Sequence, residues 1–561
     1  MTAAGWTRRG VSQMARKGVT GLGEGSVTGA GSGARVARAR PAISSTPTPS
    51  TSTSHTPRRY FQSSASAPAP KDTKGKEKTP EVRFNFNTSL YFTEEPDPDH
   101  VNYRRVTAAE LRSRKEPPKK VKMLVRDFID DSLYNPHYGY FSKNATIFVP
   151  PKGGYDFSQF KNETDFIEAV AARYASEYGD VVDGGLGRQV WHTPTELYKP
   201  YYAQALTSAI LQSYKLNHYP YQDLIIYELG AGNGSFMLDS LRFIKQKHPE
   251  VFSRTKYRII EISGQLAARQ RKRAKAAGLE DHVEIIESDF FKWGGGGPDP
   301  CYVVALEVLD NFAHDMIRYD VETLVPMQAV VVIDAAGEFT LLYEPVNDPL
   351  LQRCFEYRSL LPPSPSTQPT VSKALSMLPF LRSAMKNLPF SANLSKPDFI
   401  PSKAVLFLER LRAQLPQHRL LVADFSELPD AVKGRNGPVV QTRVRREMVP
   451  CETFLVKQGY FDIFFPTDFE LLRDTYSLIM KSPPADLSLS PTGESTNGRS
   501  DVLRNDFFSH SVRGFRRRQV GIYSQDEFVS KFGGEEITDK LKTKDGANIV
   551  SGMYGNAKIM F

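Results

Sequence analysis

Apolar and polar positions alternate along the chain with two periods, and each period predicts one kind of secondary structure. Short apolar runs rich in β-branched residues predict strands at 223–228, 257–262, 283–287, 301–307, 328–334, 339–343 and 419–424. Apolar residues three and four positions apart predict helices at 121–134, 198–217, 234–246, 263–277 and 404–414. Strands and helices alternate from about residue 223 to 310, which is typical of βαβ units on a parallel sheet. The pattern therefore predicts an α/β fold.

The basic charge of the protein is concentrated near its N terminus. The whole chain has a formal net charge of +9, whereas residues 1–61 alone hold eight Arg and one Lys against a single acid, Glu24. An Arg-, Ser- and Ala-rich stretch with almost no acids and no long apolar run is typical of a mitochondrial transit peptide, although a disordered basic tail has a similar composition. The string RRYFQSS at 58–64 resembles a matrix-peptidase cleavage site. We therefore expect import into the mitochondrial matrix. The nearly neutral remainder does not favour nucleic acid as a partner.

Composition also predicts how the chain is organised. From the N to the C terminus we expect a transit peptide (1–61), a disordered linker or arm (62–120), a helical N-terminal region (121–220), a Rossmann-like domain (221–475) with an insertion (361–402), a disordered loop (482–505) and a C-terminal extension (506–561). The last residues favour a strand, but the sequence does not define where such a strand would dock.

Three classes of site are not expected from the sequence. The cysteines Cys301, Cys354 and Cys451 lie far apart and form no CxxC pair, so neither a zinc site nor a redox motif is indicated. No apolar run approaches the roughly 18 residues that are needed to cross a membrane. We therefore expect no bound metal and no membrane span.

The string IIYELGAGNG (225–234) joins the first predicted strand to a helix through a glycine-rich loop. Gly230, Gly232 and Gly234 would let the backbone turn sharply and approach a ligand closely, and the helix would then direct its first N–H groups at an anion. A dinucleotide fold uses G-x-G-x-x-G, whose third glycine would fall at Ser235. The spacing E-x-G-x-G-x-G is instead that of class I methyltransferases. The loop therefore predicts binding of S-adenosyl-L-methionine.

Acidic residues follow the first three predicted strands. Glu228 ends the first strand and is placed to take the methionine ammonium, whereas Glu261 ends the second and is placed to hold the ribose hydroxyls. Asp289 follows the third strand and could accept from the adenine amino group, with Phe290 packed on the adenine ring. Ligands of open α/β sheets bind at the edge where these strand ends meet. We therefore expect a Rossmann-like class I methyltransferase with a mostly parallel, seven-stranded sheet, a helical N-terminal extension and inserted segments.

The fourth predicted strand is followed by two further acids, Glu307 and Asp310. In methyltransferases the acceptor commonly binds at the end of this strand. Two carboxylates there could hold a guanidinium through paired hydrogen bonds, and one of them could take up a proton during methylation. Helix capping and a solvated surface are the alternative explanation of these acids.

The chain resembles the MidA-like methyltransferases, a family that includes a mitochondrial protein-arginine methyltransferase acting in respiratory complex I assembly. The resemblance extends with gaps over roughly 121–475. Besides the glycine loop it rests on VRDFIDDSLYNPHYGYFS (125–142), His192-Thr193-Pro194 with Glu196, Glu307 and Asp310, LLVADF (420–425), and Gly459 with Asp462-Ile463 and Asp468-Phe469. It implies S-adenosyl-L-methionine as cofactor, Glu307 and Asp310 as catalytic residues, and symmetric dimethylation of an arginine in a protein substrate, such as a complex I subunit.

The sequence departs from the family pattern mainly on the acceptor side. Leu306 stands where the family has Asn, and Ala313 stands where it has Pro. Gln189-Val190-Trp191 replaces a G-D-F string, and Phe464-Phe465-Pro466 replaces a segment that usually contains Thr. Two other hypotheses therefore stay open: a methyltransferase that acts on a small molecule or RNA, with the basic run 269–273 as a candidate contact, and a non-catalytic assembly protein that keeps the fold.

Overall fold

The fold is described from a computed structural model of the chain. The model describes residues 98–143, 145–178, 189–371, 380, 382, 393–429, 431–444, 447–481 and 519–561. The expected transit peptide, the linker up to residue 97 and the loop at 482–505 lie outside these residues.

Strands occur throughout the described residues. In chain order they are β1 (Arg104–Arg105), β2 (Val121–Leu124), β3 (Ala145–Ile147), β4 (Gln189–Trp191), β5 (Leu224–Leu229), β6 (Thr255–Glu261), β7 (Val283–Glu287), β8 (Cys301–Leu306), β9 (Asp315–Tyr319), β10 (Pro326–Ile333), β11 (Phe339–Pro345), β12 (Asp398–Ile400), β13 (His418–Phe425), β14 (Val439–Val444), β15 (Glu447–Cys451), β16 (Asp462–Phe464), β17 (Ile522–Ser524) and β18 (Ala557–Met560).

Helices alternate with these strands. In chain order they are α1 (Ala108–Leu111), α2 (Val125–Tyr134), α3 (Tyr140–Lys143), α4 (Glu163–Tyr178), α5 (Pro194–Leu197), α6 (Tyr201–Asn217), α7 (Ser235–Lys247), α8 (Pro249–Phe252), α9 (Gly264–Ala276), α10 (Pro349–Leu360), α11 (Ser402–Gln414), α12 (Phe469–Lys481), α13 (Gln525–Lys540) and α14 (Ile549–Met553), together with short 3-10 turns at Pro98–Asn102, Phe157–Gln159 and Glu280–His282.

The main sheet has seven strands in the order β17-β18-β13-β8-β5-β6-β7. Its strands β5, β6, β7, β8 and β13 are parallel, whereas β18 is antiparallel to both of its neighbours, β13 and β17. This confirms the predicted mostly parallel, seven-stranded sheet. Strands β17 and β18 lie within 506–561, which is predicted to be a C-terminal extension, so this segment contributes two strands to the sheet.

Two of the strand candidates belong to a different sheet. The candidates at 328–334 and 339–343 form β10 and β11, which pair antiparallel in a six-stranded sheet that also contains β1, β2, β9 and β12. The connection from β10 to β11 is a turn in which Asp334 N donates to Glu338 O at 3.1 Å. Such a short turn can join only antiparallel strands, because a parallel pair needs a crossover of a dozen residues or more.

The N-terminal region contains strands as well as helices. The helix expected from Val121 begins only at Val125, because Val121–Leu124 form β2 and pair with β10. Strands β3 and β4 form a separate parallel pair, so the helical description of 121–220 is incomplete. Residues 98–120, expected to lie in the disordered linker, contain β1 and α1.

Helices cover both faces of the main sheet. One buried cluster joins β5, β6, β8 and β13 to α6, α7 and α13, and a second joins the opposite face to α10, α11 and α12. A third cluster lies under the six-stranded sheet and joins it to α2 and to the strands β14 and β16. Burial on both faces explains why the parallel strands are continuous apolar runs instead of alternating ones.

This packing leaves the carboxyl ends of the parallel strands at one edge of the sheet, where the predicted site residues lie. In the described part of the chain, no helix is long and apolar enough to cross a membrane. The same residues contain no cluster of three or more His, Cys, Asp or Glu side chains that could hold a metal ion.

Candidate cofactor and acceptor sites

The loop between β5 and α7 requires glycine at three positions. Gly230, Gly232 and Gly234 have φ angles of +62°, +53° and +72°, in the left-handed region that side chains disfavour. A Cβ on Gly232 would lie 2.7 Å from Cδ1 of Ile147, so a side chain there would require the Ile147 side chain to move. Gly234 caps α7, whose first N–H groups and positive dipole end then lie at the loop. The loop is therefore built for close approach of a ligand to the backbone.

Glu228 lies inside the sheet beneath this loop. Its side chain is 3% exposed, and its Oε2 accepts a hydrogen bond from Tyr257 Oη at 2.7 Å. Burial raises the pKa of the Glu228 carboxyl to about 8. A cation beside Glu228 would offset the cost of its buried charge, which is consistent with the predicted contact to the methionine ammonium.

Glu261 ends β6 and is also buried. Its Oε1 accepts from Ser263 N and its Oε2 accepts from Gln270 Nε2, both at 3.0 Å. Each carboxylate oxygen can accept two hydrogen bonds, so both retain capacity for a pair of hydroxyl donors. The next residue, Ile262, is 49% exposed at the sheet edge, although it is apolar. An apolar surface beside a carboxylate suits a nucleoside, and the ribose role of Glu261 remains a prediction.

Asp289 and Phe290 follow β7. Asp289 Oδ1 accepts from Phe291 N at 3.0 Å, and its Oδ2 lies 3.3 Å from an Arg112 guanidinium nitrogen. The Phe290 ring packs against Trp293 and Phe407, with ring centroids 6.1 and 5.3 Å away. Asp289 is therefore held in place at the sheet edge. Phe290 belongs partly to the core, and its contact with adenine remains a prediction.

Glu307 follows β8 in an unusual backbone conformation. Its φ angle is +54°, which is rare for a residue with a side chain, and its N–H donates to Ala423 O at 2.8 Å. Burial raises the pKa of the Glu307 carboxyl well above its usual value. The carboxylate also raises the pKa values of three tyrosines that are already raised by burial: Tyr198, Tyr202 and Tyr554. Residues other than glycine that are held in the left-handed backbone region are concentrated at functional sites, because the surrounding structure must hold them there.

Asp310 lies three residues after Glu307 and is 2% exposed. Asp424, at the end of β13, accepts hydrogen bonds from the backbone N–H groups of Leu309 and Asp310 at 2.9 and 3.2 Å. Oδ1 of Asp310 has no hydrogen-bond partner among the described residues. Burial raises the pKa of Asp310 to about 6. Burial and the charge of Asp310 together raise the pKa of Asp424 well above its usual value.

Asp462 is a further acid at this place, and in the sequence it stands out only as part of a motif. It begins β16, is 1% exposed, and neither of its carboxylate oxygens has a hydrogen-bond partner within the described ranges. Burial, with a contribution from the charge of Asp310, raises its pKa to about 8. Burial raises the pKa of Tyr134 well above its usual value, and the charges of Asp310 and Asp462 add to this effect. Tyr134 also donates a hydrogen bond to Asn311 O at 3.4 Å. In the sequence, the signal for Asp462 is its position before Ile463 in the D-I motif.

The basic run at 269–273 lies on α9 and contacts the cofactor loop. Arg269 donates to Asn233 Oδ1 at 2.7 Å, and Arg273 donates to Ser235 Oγ at 3.1 Å. Arg271 forms an ion pair with Glu287. These residues are engaged within the protein, so the run gives little support to an RNA-binding surface.

Three features fit S-adenosyl-L-methionine: a glycine loop in the left-handed region, a helix N terminus, and acids after three successive strands. The sheet order and this edge together define a Rossmann-like class I methyltransferase. A family model described as "Putative S-adenosyl-L-methionine-dependent methyltransferase" matches residues 205–483. The chain belongs to this family, it is a methyltransferase, and its cofactor is S-adenosyl-L-methionine.

Individual relatives are distant in sequence. The mitochondrial NDUFAF7 homolog of Schizosaccharomyces pombe, named as a protein arginine methyltransferase, is 24% identical over 326 residues, which are 57% of this chain and 67% of that protein. A crystal structure from Burkholderia thailandensis with bound S-adenosyl-homocysteine aligns over 84% of this chain and 94% of that chain, with 17% identity and a TM-score of 0.45. A second structure from the same organism aligns over 69% of this chain and 78% of that chain, with 18% identity and a TM-score of 0.38.

Proposed function

We propose that the protein is an arginine methyltransferase of the mitochondrial matrix that acts on a protein substrate, a subunit of respiratory complex I. The observation that carries the proposal is the group of buried carboxylates at the acceptor side. Asp310 and Asp462 are nearly inaccessible to solvent, and three of their four carboxylate oxygens have no hydrogen-bond partner among the described residues. Asp424 and Glu307 add further acidic groups at the ends of β13 and β8.

Buried carboxylates without partners are costly, and a bound cation would offset that cost. A guanidinium suits this site because it stays charged at every physiological pH and donates hydrogen bonds in a planar fork to two carboxylates. A neutral acceptor would leave the acidic charge uncompensated. In the protein without a bound guanidinium, the cost of burying a charge raises the pKa values of Asp310 and Asp462.

The chain's own residues can then perform the steps that methylation of a guanidinium requires. When bound, S-adenosyl-L-methionine supplies an electrophilic methyl group. Asp462 and Asp310 orient the guanidinium by accepting its N–H groups, and the left-handed backbone of Glu307 holds a third carboxylate next to them. Oδ1 of Asp310 accepts the proton that the methylated nitrogen loses, as a general base. Burial of all three acids excludes water from the site.

The location and the substrate rest on other observations. The N-terminal 61 residues are rich in Arg and poor in acids, as mitochondrial transit peptides are, and the relative from S. pombe is named as mitochondrial. The name of that relative also supports arginine as the modified residue. Symmetric dimethylation and a complex I subunit as substrate are implied by the resemblance to the MidA-like family.

A methyl-transfer experiment tests the proposal. Matrix proteins from cells that lack this protein would be incubated with the purified protein and S-adenosyl-L-methionine carrying a labelled methyl group. We expect the label on arginine in a complex I subunit, found by mass spectrometry, and loss of at least 90% of it with Asp310→Asn or Asp462→Asn. Label on lysine, RNA or small molecules instead would contradict the proposed acceptor. Binding of cofactor without any transfer would favour the non-catalytic assembly protein.

A further inference from the structure

The short helix α5 contacts the cofactor loop through one side chain, Glu196. We infer that Glu196 is a positioning residue, which holds the loop in its cofactor-binding conformation. This inference concerns the cofactor and holds whichever acceptor is methylated.

Glu196 makes three contacts from a buried position in which it is 3% exposed. Its Oε1 accepts hydrogen bonds from Ser235 Oγ at 2.8 Å and from Asn233 Nδ2 at 3.1 Å. Its Oε2 accepts from Lys199 Nζ at 3.0 Å. Thr193 caps the helix by accepting from the Glu196 N–H at 3.1 Å, which fixes the carboxylate relative to the loop. One carboxylate thus binds two residues on either side of Gly234.

The loop makes few backbone hydrogen bonds of its own. Gly230 N donates to Ile260 O at 3.2 Å, and Gly234 N donates to Ala231 O at 2.7 Å. Asn233 lies between two glycines in the left-handed region, where the backbone has many alternative conformations. Ordering such a segment costs conformational entropy, so fixed side-chain contacts at Asn233 and Ser235 matter for the shape of the loop.

The same two residues are held from the opposite side by α9. Arg269 donates to Asn233 Oδ1 at 2.7 Å, and Arg273 donates to the Asn233 carbonyl oxygen at 2.5 Å and to Ser235 Oγ at 3.1 Å. Glu196 accepts hydrogen bonds from Asn233 and Ser235 on the other side, so the loop is held between α5 and α9.

A matched pair of double variants isolates the contribution of Glu196. Glu196→Gln with Lys199→Met keeps an oxygen that can accept from Asn233 and Ser235, and it removes the ion pair together with its charge. Glu196→Leu with Lys199→Met removes the acceptor as well, at a similar side-chain volume. S-adenosyl-homocysteine is the probe, and its dissociation constant is measured by calorimetry on the full chain.

We expect the Gln pair to bind S-adenosyl-homocysteine within about threefold of the unmutated protein and the Leu pair to bind about tenfold or more weakly, since a lost hydrogen bond to a charged acceptor typically has an effect of this size. The melting temperatures without ligand should differ little between the two pairs. Glu284→Gln, in an exposed ion pair on β7, is the control and should bind normally. Equal affinities of the Gln and Leu pairs would overturn the inference.

A milder variant covers the case in which the Leu pair does not fold. Ser235→Ala removes the hydroxyl that donates to Glu196 but leaves the buried charge paired. We expect a threefold to tenfold loss of affinity and faster hydrogen exchange at the loop amides 232–235. Unchanged affinity together with unchanged exchange in Ser235→Ala would also contradict the positioning role.

Discussion

The side-chain amide of Gln270 donates a hydrogen bond to Oε2 of Glu261 at 3.0 Å. The same nitrogen lies 2.9 Å from the carbonyl oxygen of Gly232, to which it also donates. Gln270 is fully buried in α9 and thus connects the acid proposed to hold the ribose with the loop proposed to hold the methionine part. The two halves of the cofactor site therefore share a single side chain.

Replacement of Gln270 by Met should weaken cofactor binding. Met fills a similar volume but cannot donate, so Glu261 and Gly232 each lose a buried hydrogen bond. We expect a dissociation constant for S-adenosyl-homocysteine about tenfold higher by calorimetry, in keeping with roughly 1–1.5 kcal/mol for the lost contacts. Gln265→Met makes the same change at an exposed position of the same helix. Normal binding by the Gln265 variant and weak binding by the Gln270 variant would support the connection, and equal binding by both would contradict it.

Replacement of Gly232 by Ala should weaken cofactor binding, because the Ile147 side chain would have to move and the new residue would keep a left-handed φ. The Cβ would lie 2.7 Å from Ile147 Cδ1, and the residue would also be held at a φ angle of +53°. Gly278 has a similar φ of +63°, but nothing lies within 4 Å of a Cβ added there. Gly278→Ala therefore carries only the conformational cost, about 1 kcal/mol of stability. Melting temperatures measured with and without S-adenosyl-homocysteine distinguish the two variants. If the ligand raised the melting temperature of Gly232→Ala as much as that of the unmutated protein, the steric argument would be wrong.

The strand ends and the glycine loop of the cofactor side can be predicted from the sequence, because they are built from local pattern. The predicted strand at 283–287 has the observed bounds of β7, and Glu228, Glu261 and Asp289 all lie at strand ends as expected. The glycines of the loop have positive φ angles, which favour glycine whatever the rest of the fold is. Each of these features depends on neighbours within a few residues.

The acceptor side could not be predicted in the same way, because it depends on contacts between distant segments. Asp462 lies near Asp310, 152 positions earlier, only because β16 pairs with β14 and Phe465 N donates to Asp310 O at 2.7 Å. Glu196 reaches the loop through α5, which precedes the sheet in the chain. Strands β10 and β11 are predicted as strands from the sequence, but their place in a second sheet follows from the pairing of β10 with β2.

Replacement of Glu307 by Gln should reduce turnover and leave cofactor binding intact. Gln has nearly the same shape and can keep the left-handed backbone, so the change removes only the ability to ionise and to exchange a proton. Loss of a residue that aids proton transfer or charge balance typically lowers the rate about 10²- to 10⁴-fold. We expect such a drop in kcat in the methyl-transfer assay, with a calorimetric dissociation constant for S-adenosyl-homocysteine within twofold of normal. Full turnover in this variant would remove Glu307 from the catalytic residues.

Replacement of Asp462 by Asn should stabilise the cofactor-free protein at high pH. The pKa of Asp462 is about 8 in the folded protein, against 3.8 for an unperturbed Asp, so the folded state binds a proton that the unfolded state lacks between these values. Stability therefore falls as the pH rises from 4 towards 8, by up to about 1.4 kcal/mol per pH unit from this group. Chemical denaturation at pH 6 and pH 8 should show a smaller difference for Asp462→Asn than for the unmutated protein.

The exposed Asp281 gives a control for this experiment. Asp281→Asn should leave the pH dependence of stability unchanged, because the residue is solvated in both states. Asp462→Asn should also lose methyl transfer, so the acid would be retained for function at a cost in stability. A pH dependence identical to that of the unmutated protein would show that Asp462 is not protonated in the folded state.

Cofactor binding should release a proton from Glu228. The pKa of this carboxyl is about 8 in the cofactor-free protein, because burial raises it and Glu261 adds to the effect, while the hydrogen bond from Tyr257 opposes it. An ammonium placed beside Glu228 favours the ionised form, so its pKa falls on binding and a proton leaves at pH 7. Affinity should therefore rise between pH 6 and pH 7.5, by at most tenfold per unit.

Calorimetry at pH 7 in phosphate and in Tris, which differ in ionisation enthalpy, measures the released proton directly. Glu228→Gln keeps an acceptor for Tyr257, and it should bind more weakly and show the same enthalpy in both buffers. Equal enthalpies for the unmutated protein would contradict the release of a proton from Glu228.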